Sequence, residues 1–374
     1  MKRAICLAGG GPAVGLSIGA LDRLHREKDI RFEVWSTACI GAWLGIAWNQ
    51  SPRGQEVGWV SDFFKKIFRP DDVYHRFPIA AAFAPDFAGC AENALNFVLD
   101  SRNYEKLVVP EAIKQASDDL VDFMTKPQRW SNANLNAVML NDVLAVNPAS
   151  RFLTSWMYLS ATKGLSRIFY SDSAFLQELD FTKLYDEGRP ALYHNAYNLS
   201  AGRLELFSNR KKSVFRDTRS PDDAPKYLPC PSISAQTLCA CSALPYIEEP
   251  VTIGNETYCE GATVDTVNFQ DLLTNHPDLD EVWVSRILDR KQIRRPHNLY
   301  DALNNLVMLF AATTSEDDVK LFKYHLMETK SKVTVIEIPV DHHINYDWSW
   351  SNLDRSIRDG YAAADRAIRK YRGG

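Results

Sequence analysis

The chain of 374 residues is 45% hydrophobic and 24% charged, an ordinary balance for a globular protein, with room for one large α/β domain or two smaller ones. A net charge of −4 leaves no basic excess with which to neutralise phosphates, which excludes an electrostatic binder of nucleic acid. Seven cysteines without framework spacing point to reduced thiols in a cytoplasm-like compartment, and no run of 18 apolar residues predicts a membrane-spanning helix.

The start, MKRAICLAGGGPAVG, is broken by three glycines and a proline, so it reads as a strand and loop rather than an export signal. RAICLA (3–8) is predicted as a short buried parallel strand. After the glycines, LSIGALDRLHRE sets Leu16, Ala20, Leu21 and Leu24 on one helical face. RFEVWSTA is a second strand and IGAWLGIAW opens the next helix, so the first fifty residues read β-loop-α-β-turn-α. Residues 51–135 read as a helical insertion or lid, with amphipathic stretches VGWVSDFFKKIF and AENALNFVLD. Between these, FPIAAAFAPDFAG (77–89) is apolar and broken by two prolines. A core-packed loop is expected there, and a surface making peripheral membrane contact is the functional alternative.

Strands are predicted at 151–162, 167–171, 191–199 and 203–208, the last two joined in a hairpin by SAGR. Residues 210–229 read as a surface loop. SISAQTLCACSALP (232–245) reads as a helix of small residues that stops before Pro245. VTIGNETYCEGATVDTVN (251–268) reads as a hairpin with an Asn/Gly turn, then a glycine loop. Strands follow at 279–288 and 332–340, with one or two helices between them and an amphipathic helix at the end. With no repeat or low-complexity linker, the simplest account is a single domain over 1–374, α/β, on a mostly parallel sheet with inserted helices.

Three stretches carry candidate chemistry. Gly9, Gly10 and Gly11 follow a strand and precede a helix, where backbone N–H groups can face a cavity unobstructed. A dinucleotide fingerprint fits poorly: the last glycine gap, to Gly15, is one residue too long and Pro12 removes an N–H, so an oxyanion hole is the better reading. Cys39 stands between an apolar strand and an apolar helix, where a nucleophile elbow would need small neighbours. Gly41 and Ala42 meet that demand, whereas Thr37 departs from the usual glycine. A thiol at a helix N-terminus is expected to have its thiolate favoured by the amides there, and a small buried cysteine is the structural alternative. In YCEGATVDTVN the candidate bases are Glu260 and Asp265, each of which could instead be a turn carboxylate binding its own backbone. A Cys39–His pairing, or a metal site at Asp341, His342 and His343, is less favoured, because adjacent residues point apart.

In their order and separation these stretches resemble the patatin-like phospholipase family. GGGPAVGLSIGAL is similar to its oxyanion loop, TACIGAW to its G-x-S-x-G elbow, CACSALPYIEEPV to its A-S-x-A-L-P segment, and EGATVDT to its D-G-G or D-G-A turn. The resemblance covers most of residues 3–270 and implies a three-layer sandwich around the central sheet. It also implies a lipid or other acyl-ester substrate, with no cofactor and no metal. By position, Cys39 takes the place of the nucleophilic Ser and Glu260 that of the dyad Asp. Gly10 and Gly11 take the oxyanion role, with Gly9 at the start of the loop, and Thr37 and Gly41 flank the elbow. Ala13 falls where many members carry a basic residue. Both dyad positions keep their class of chemistry, which favours a lipid acyl hydrolase working through a thioester acyl-enzyme. The alternatives are an inactive lipid-binding protein, an acyltransferase or a polyester depolymerase. The expected location is cytoplasmic or peripheral to a membrane, and the oligomeric state is left open.

Overall fold

In the computed structural model the apolar run at 3–8 forms β1 (Arg3–Leu7), and the second one forms β2 (Val34–Thr37). The structure describes all residues except 81, 83–86, 105–109, 132–135, 137, 139–146, 148, 154–162, 168–173, 221–223, 341–346 and 374. The chain divides into two units, residues 1–84 with 167–374, and residues 85–166. Among the described residues, no helix is long and apolar enough to cross a membrane.

The larger unit is built on an eight-stranded sheet. Its other strands are β3 (Ala191–Asn198), β4 (Arg203–Ser208), β5 (Val251–Ile253), β6 (Glu256–Glu260), β7 (Glu281–Ser285) and β8 (Thr334–Ile338). The order is β8-β7-β1-β2-β3-β6-β5, with β4 also paired to β3. Strands β8, β7, β1, β2 and β3 run parallel, and the β3–β4, β3–β6 and β6–β5 pairs are antiparallel. This is the mostly parallel α/β sheet that the sequence predicts. Alternation along β1 sends Ile5 and Leu7 to one face and Ala4 and Cys6 to the other. The first face is covered by helices α1 (Val14–His25), α2 (Ile40–Gln50) and, at the C-terminus, Trp350–Gly373. The second packs against Val319, Phe322 and Leu326 of the long helix Leu299–Glu328, completing three layers.

The C-terminal helix lies against α1 at backbone distance. A Cβ built on Gly19 would come 1.8 Å from the Ile357 carbonyl oxygen, and one on Gly360 would come 2.0 Å from that of Leu16. No flexible side chain stands there to move aside. Gly19→Val is therefore expected to push the helices apart and to destabilise the fold by about 3 kcal/mol or more, read as a fall in the urea midpoint.

The 299–328 segment, expected as one or two helices, is one continuous helix. Other expectations for individual elements need correction. The 210–229 loop contains two short strands, Val214–Arg216 and Tyr227–Pro229, paired antiparallel. Residues 151–153, predicted to begin a strand, are helical, and the rest of that stretch, like most of 167–171, lies outside the described residues. In the smaller unit the two longest described helices are Phe87–Leu99 and Pro110–Thr125. Of the apolar 77–89 stretch, residues 81 and 83–86 lie outside the described residues.

Candidate active site

Strand β2 ends at Thr37, and α2 begins at Ile40, so the chain must reverse direction within two residues. Cys39 makes that reversal with φ 49° and ψ −125°, a left-handed conformation that costs a non-glycine residue about 1–3 kcal/mol. The turn is held by two close approaches. Gly41 sits on the end of β1, where a Cβ would come 2.2 Å from the Leu7 carbonyl oxygen. Ala38 N–H donates to that same Leu7 oxygen at 3.1 Å. Cys39 thereby stands at the C-terminal edge of the parallel strands, where open α/β sheets place their sites.

Thr37 departs from the elbow's glycine for a visible reason. Its hydroxyl donates to the Tyr193 carbonyl at 2.7 Å, and the residue is fully buried. Its methyl group takes room left free one turn and a half along α2, where a Cβ on Gly45 would lie 3.0 Å from Thr37 Cγ2. Thr37 and Gly45 thus form a compensating pair.

Glu260 ends β6 and is nearly buried. Its carboxyl and the Cys39 thiol interact, each shifting the other's titration. Burial pushes the Glu260 carboxyl up to about 7, and the neighbouring Cys39 thiol draws it partly back. Burial, then the charge of Glu260, push the Cys39 thiol well above its ordinary range. Only the Ile40 N–H works in the opposite direction. The thiolate expected from helix position alone is therefore overruled: Cys39 rests as a thiol beside the Glu260 carboxyl.

Asp265, the other candidate base, is spent on its own turn. Its carboxylate accepts from the N–H groups of Asn268 (2.7 Å), Phe269 (3.3 Å) and Gln270 (3.1 Å). His194 is buried, bonded to Thr237 at 3.1 Å and stacked on Phe207. Asp341, His342 and His343 lie outside the described residues. Among the described residues no group of three or more His, Cys, Asp or Glu could hold a metal ion.

The three glycines divide their work. Gly9 N–H donates to the Thr266 carbonyl at 3.0 Å, so Gly9 is not an oxyanion donor, contrary to expectation. It is a spacer instead: a Cβ there would sit 3.0 Å from Cys39 Cβ and 3.1 Å from Ala262 Cβ. Gly10 and Gly11 N–H have no acceptor among the described residues. Gly10 is buried, with room for no side chain against Ile287 and Leu288, and Gly11 takes a left-handed φ of 52°. Free amides beside a nucleophile are what an incoming oxyanion requires.

One residue escaped the sequence reading. Cys241, at the end of the helix Ala235–Cys241, accepts the Cys39 backbone N–H on its sulfur at 3.1 Å. Two residues on, the Ala243 carbonyl accepts the Glu260 N–H at 2.9 Å. The CACSALP segment therefore ties Cys39 and Glu260 to one short piece of chain. Its small residues let it pass close to both.

No curated protein matches the chain. Among solved structures, VipD from Legionella pneumophila matches at 13% identity with a TM-score of 0.39, over 99% of this chain and 67% of that one, a likeness too slight to carry an argument. The sequence profile of the patatin-like phospholipases matches residues 5–273, which hold the glycine loop, Cys39, Cys241 and Glu260. This chain belongs to the patatin-like phospholipase family.

Proposed function

We propose that the protein is an acyl-ester hydrolase acting on lipids, with Cys39 as nucleophile and Glu260 as general base. The reading is supported above all by the pairing of the Cys39 thiol, at a strained strand-to-helix turn, with the buried Glu260 carboxyl, each of which shifts the other's titration. Cys39 sulfur attacks the acyl carbonyl while its proton passes to Glu260. The negative charge that develops on the carbonyl oxygen is met by Gly10 and Gly11 N–H. Collapse breaks the ester C–O bond, and Glu260 returns the proton to the departing alcohol. Water then attacks the thioester, giving a proton to Glu260. The second collapse releases the carboxylic acid, and the sulfur regains its proton from Glu260.

The test is to trap the intermediate. Wild-type protein mixed with a p-nitrophenyl ester and quenched in acid is expected to carry one acyl group on the peptide containing Cys39, read by mass spectrometry. The acyl group should disappear on hydroxylamine treatment, as a thioester does. Release of p-nitrophenol with no acyl group at Cys39, or no release at all, would sink the proposal.

A further inference from the structure

The sheet's C-terminal edge carries a surface that the reaction does not use. After β7 the chain passes Ile287 and Leu288, which close over Gly10, and then runs through Asp289–Asn298 into the long helix. This connector exposes Lys291, Arg294 and Arg295, none of which has a carboxylate partner among the described residues. The first turns of the helix bury Met308, Ala312 and Ser315 and turn Leu303, Leu306 and Phe310 outward. Phe310 is 67% exposed, at a position where a soluble helix ordinarily carries a polar residue. Three free cations at the edge of an exposed apolar helical face match the two parts of an anionic bilayer, its charged headgroups and its acyl region.

The same elements hold the site. Further along the helix, Asp318 accepts the N–H groups of Thr266 (2.8 Å) and Val267 (3.2 Å), and Thr266 is the residue that holds Gly9. We infer that the connector 291–295 and the outward face of Leu303, Leu306 and Phe310 form a docking surface for an anionic phospholipid bilayer, which sets the site beside its substrate. The inference rests on the esterase reading for its purpose alone, since docking is measurable without turnover.

The experiment is vesicle co-sedimentation of the full chain, with phosphatidylcholine alone or mixed with phosphatidylglycerol, at low and high salt. Wild type and Cys39→Ala are both expected to bind the mixed vesicles, to favour them over neutral ones, and to release with salt. The Lys291→Gln/Arg294→Gln/Arg295→Gln variant should lose about 100-fold in partitioning, from about fivefold per basic residue at such a surface. Phe310→Ser should weaken binding while its thermal midpoint stays at the wild-type value, which separates docking from folding. Equal binding to neutral vesicles, binding unchanged in either variant, or no binding at all would overturn the inference. So would self-association of the wild type that Phe310→Ser abolishes without any vesicle binding, which would assign the face to a second copy of the chain.

Discussion

Cys39→Ala is expected to abolish ester turnover, lowering kcat by about 10⁴-fold or more, the usual scale for removing a nucleophile. The thermal midpoint should stay level or rise. Ala keeps the Cβ against which Gly9 packs, and it removes only the thiol that interacts with Glu260. The left-handed φ of 49° is retained, so strain does not change the outcome. Cys39→Ser is the more telling variant. A hydroxyl can pair with Glu260 as the thiol does, but it is far less acidic and depends more heavily on the base. It should retain a small activity, and its acyl group should resist hydroxylamine at neutral pH where the thioester does not. Turnover in Cys39→Ala at the wild-type rate would move the chemistry elsewhere.

Glu260→Gln is expected to lower kcat/KM by about 10²–10⁴-fold, the range for loss of general-base catalysis. The pH dependence gives the sharper evidence. Wild-type kcat/KM should rise with pH through about 7, the value to which burial lifts the Glu260 carboxyl, and level off above it. Stability should move in the opposite direction. The carboxyl binds its proton more tightly in the folded state than in the unfolded chain, where its pKa is about 4.3. Stability is thus greatest on the acid side of that value and falls as pH rises through about 7, where a buried charge must be carried. Glu260→Gln cannot ionise, so it should lose both trends: the acid limb of the rate profile and the decline in urea midpoint across the same window. A variant that kept the acid limb would place the essential base on another group.

Much of the framework can be read along the chain. The glycine loop, the turn at Cys39 and the carboxylate turn at Glu260 each announce themselves by small residues beside apolar strands, because a sheet edge and a helix can meet only where side chains are small. Asp265 and Glu260 look alike in that reading. They separate in three dimensions, where Asp265 turns to three backbone N–H groups of its own loop and Glu260 faces a thiol from a strand two places away. Thr37 looks like a defect in the motif until Gly45, eight residues on, is seen to give it room. Gly9 looks like a donor until Thr266 is seen to occupy its N–H.

From the sequence alone come the α/β class, the mostly parallel sheet, the family and the two side chains proposed to react, because periodicity, glycine spacing and residue type are local properties. The tertiary structure decides the protonation state of the pair. Cys39 lies at a helix N-terminus that by itself would favour a thiolate, yet burial beside Glu260 keeps it a thiol. Charge in a buried site depends on which groups converge there and how much water they exclude, and residues 221 positions apart in the chain carry no record of that in their own neighbourhoods.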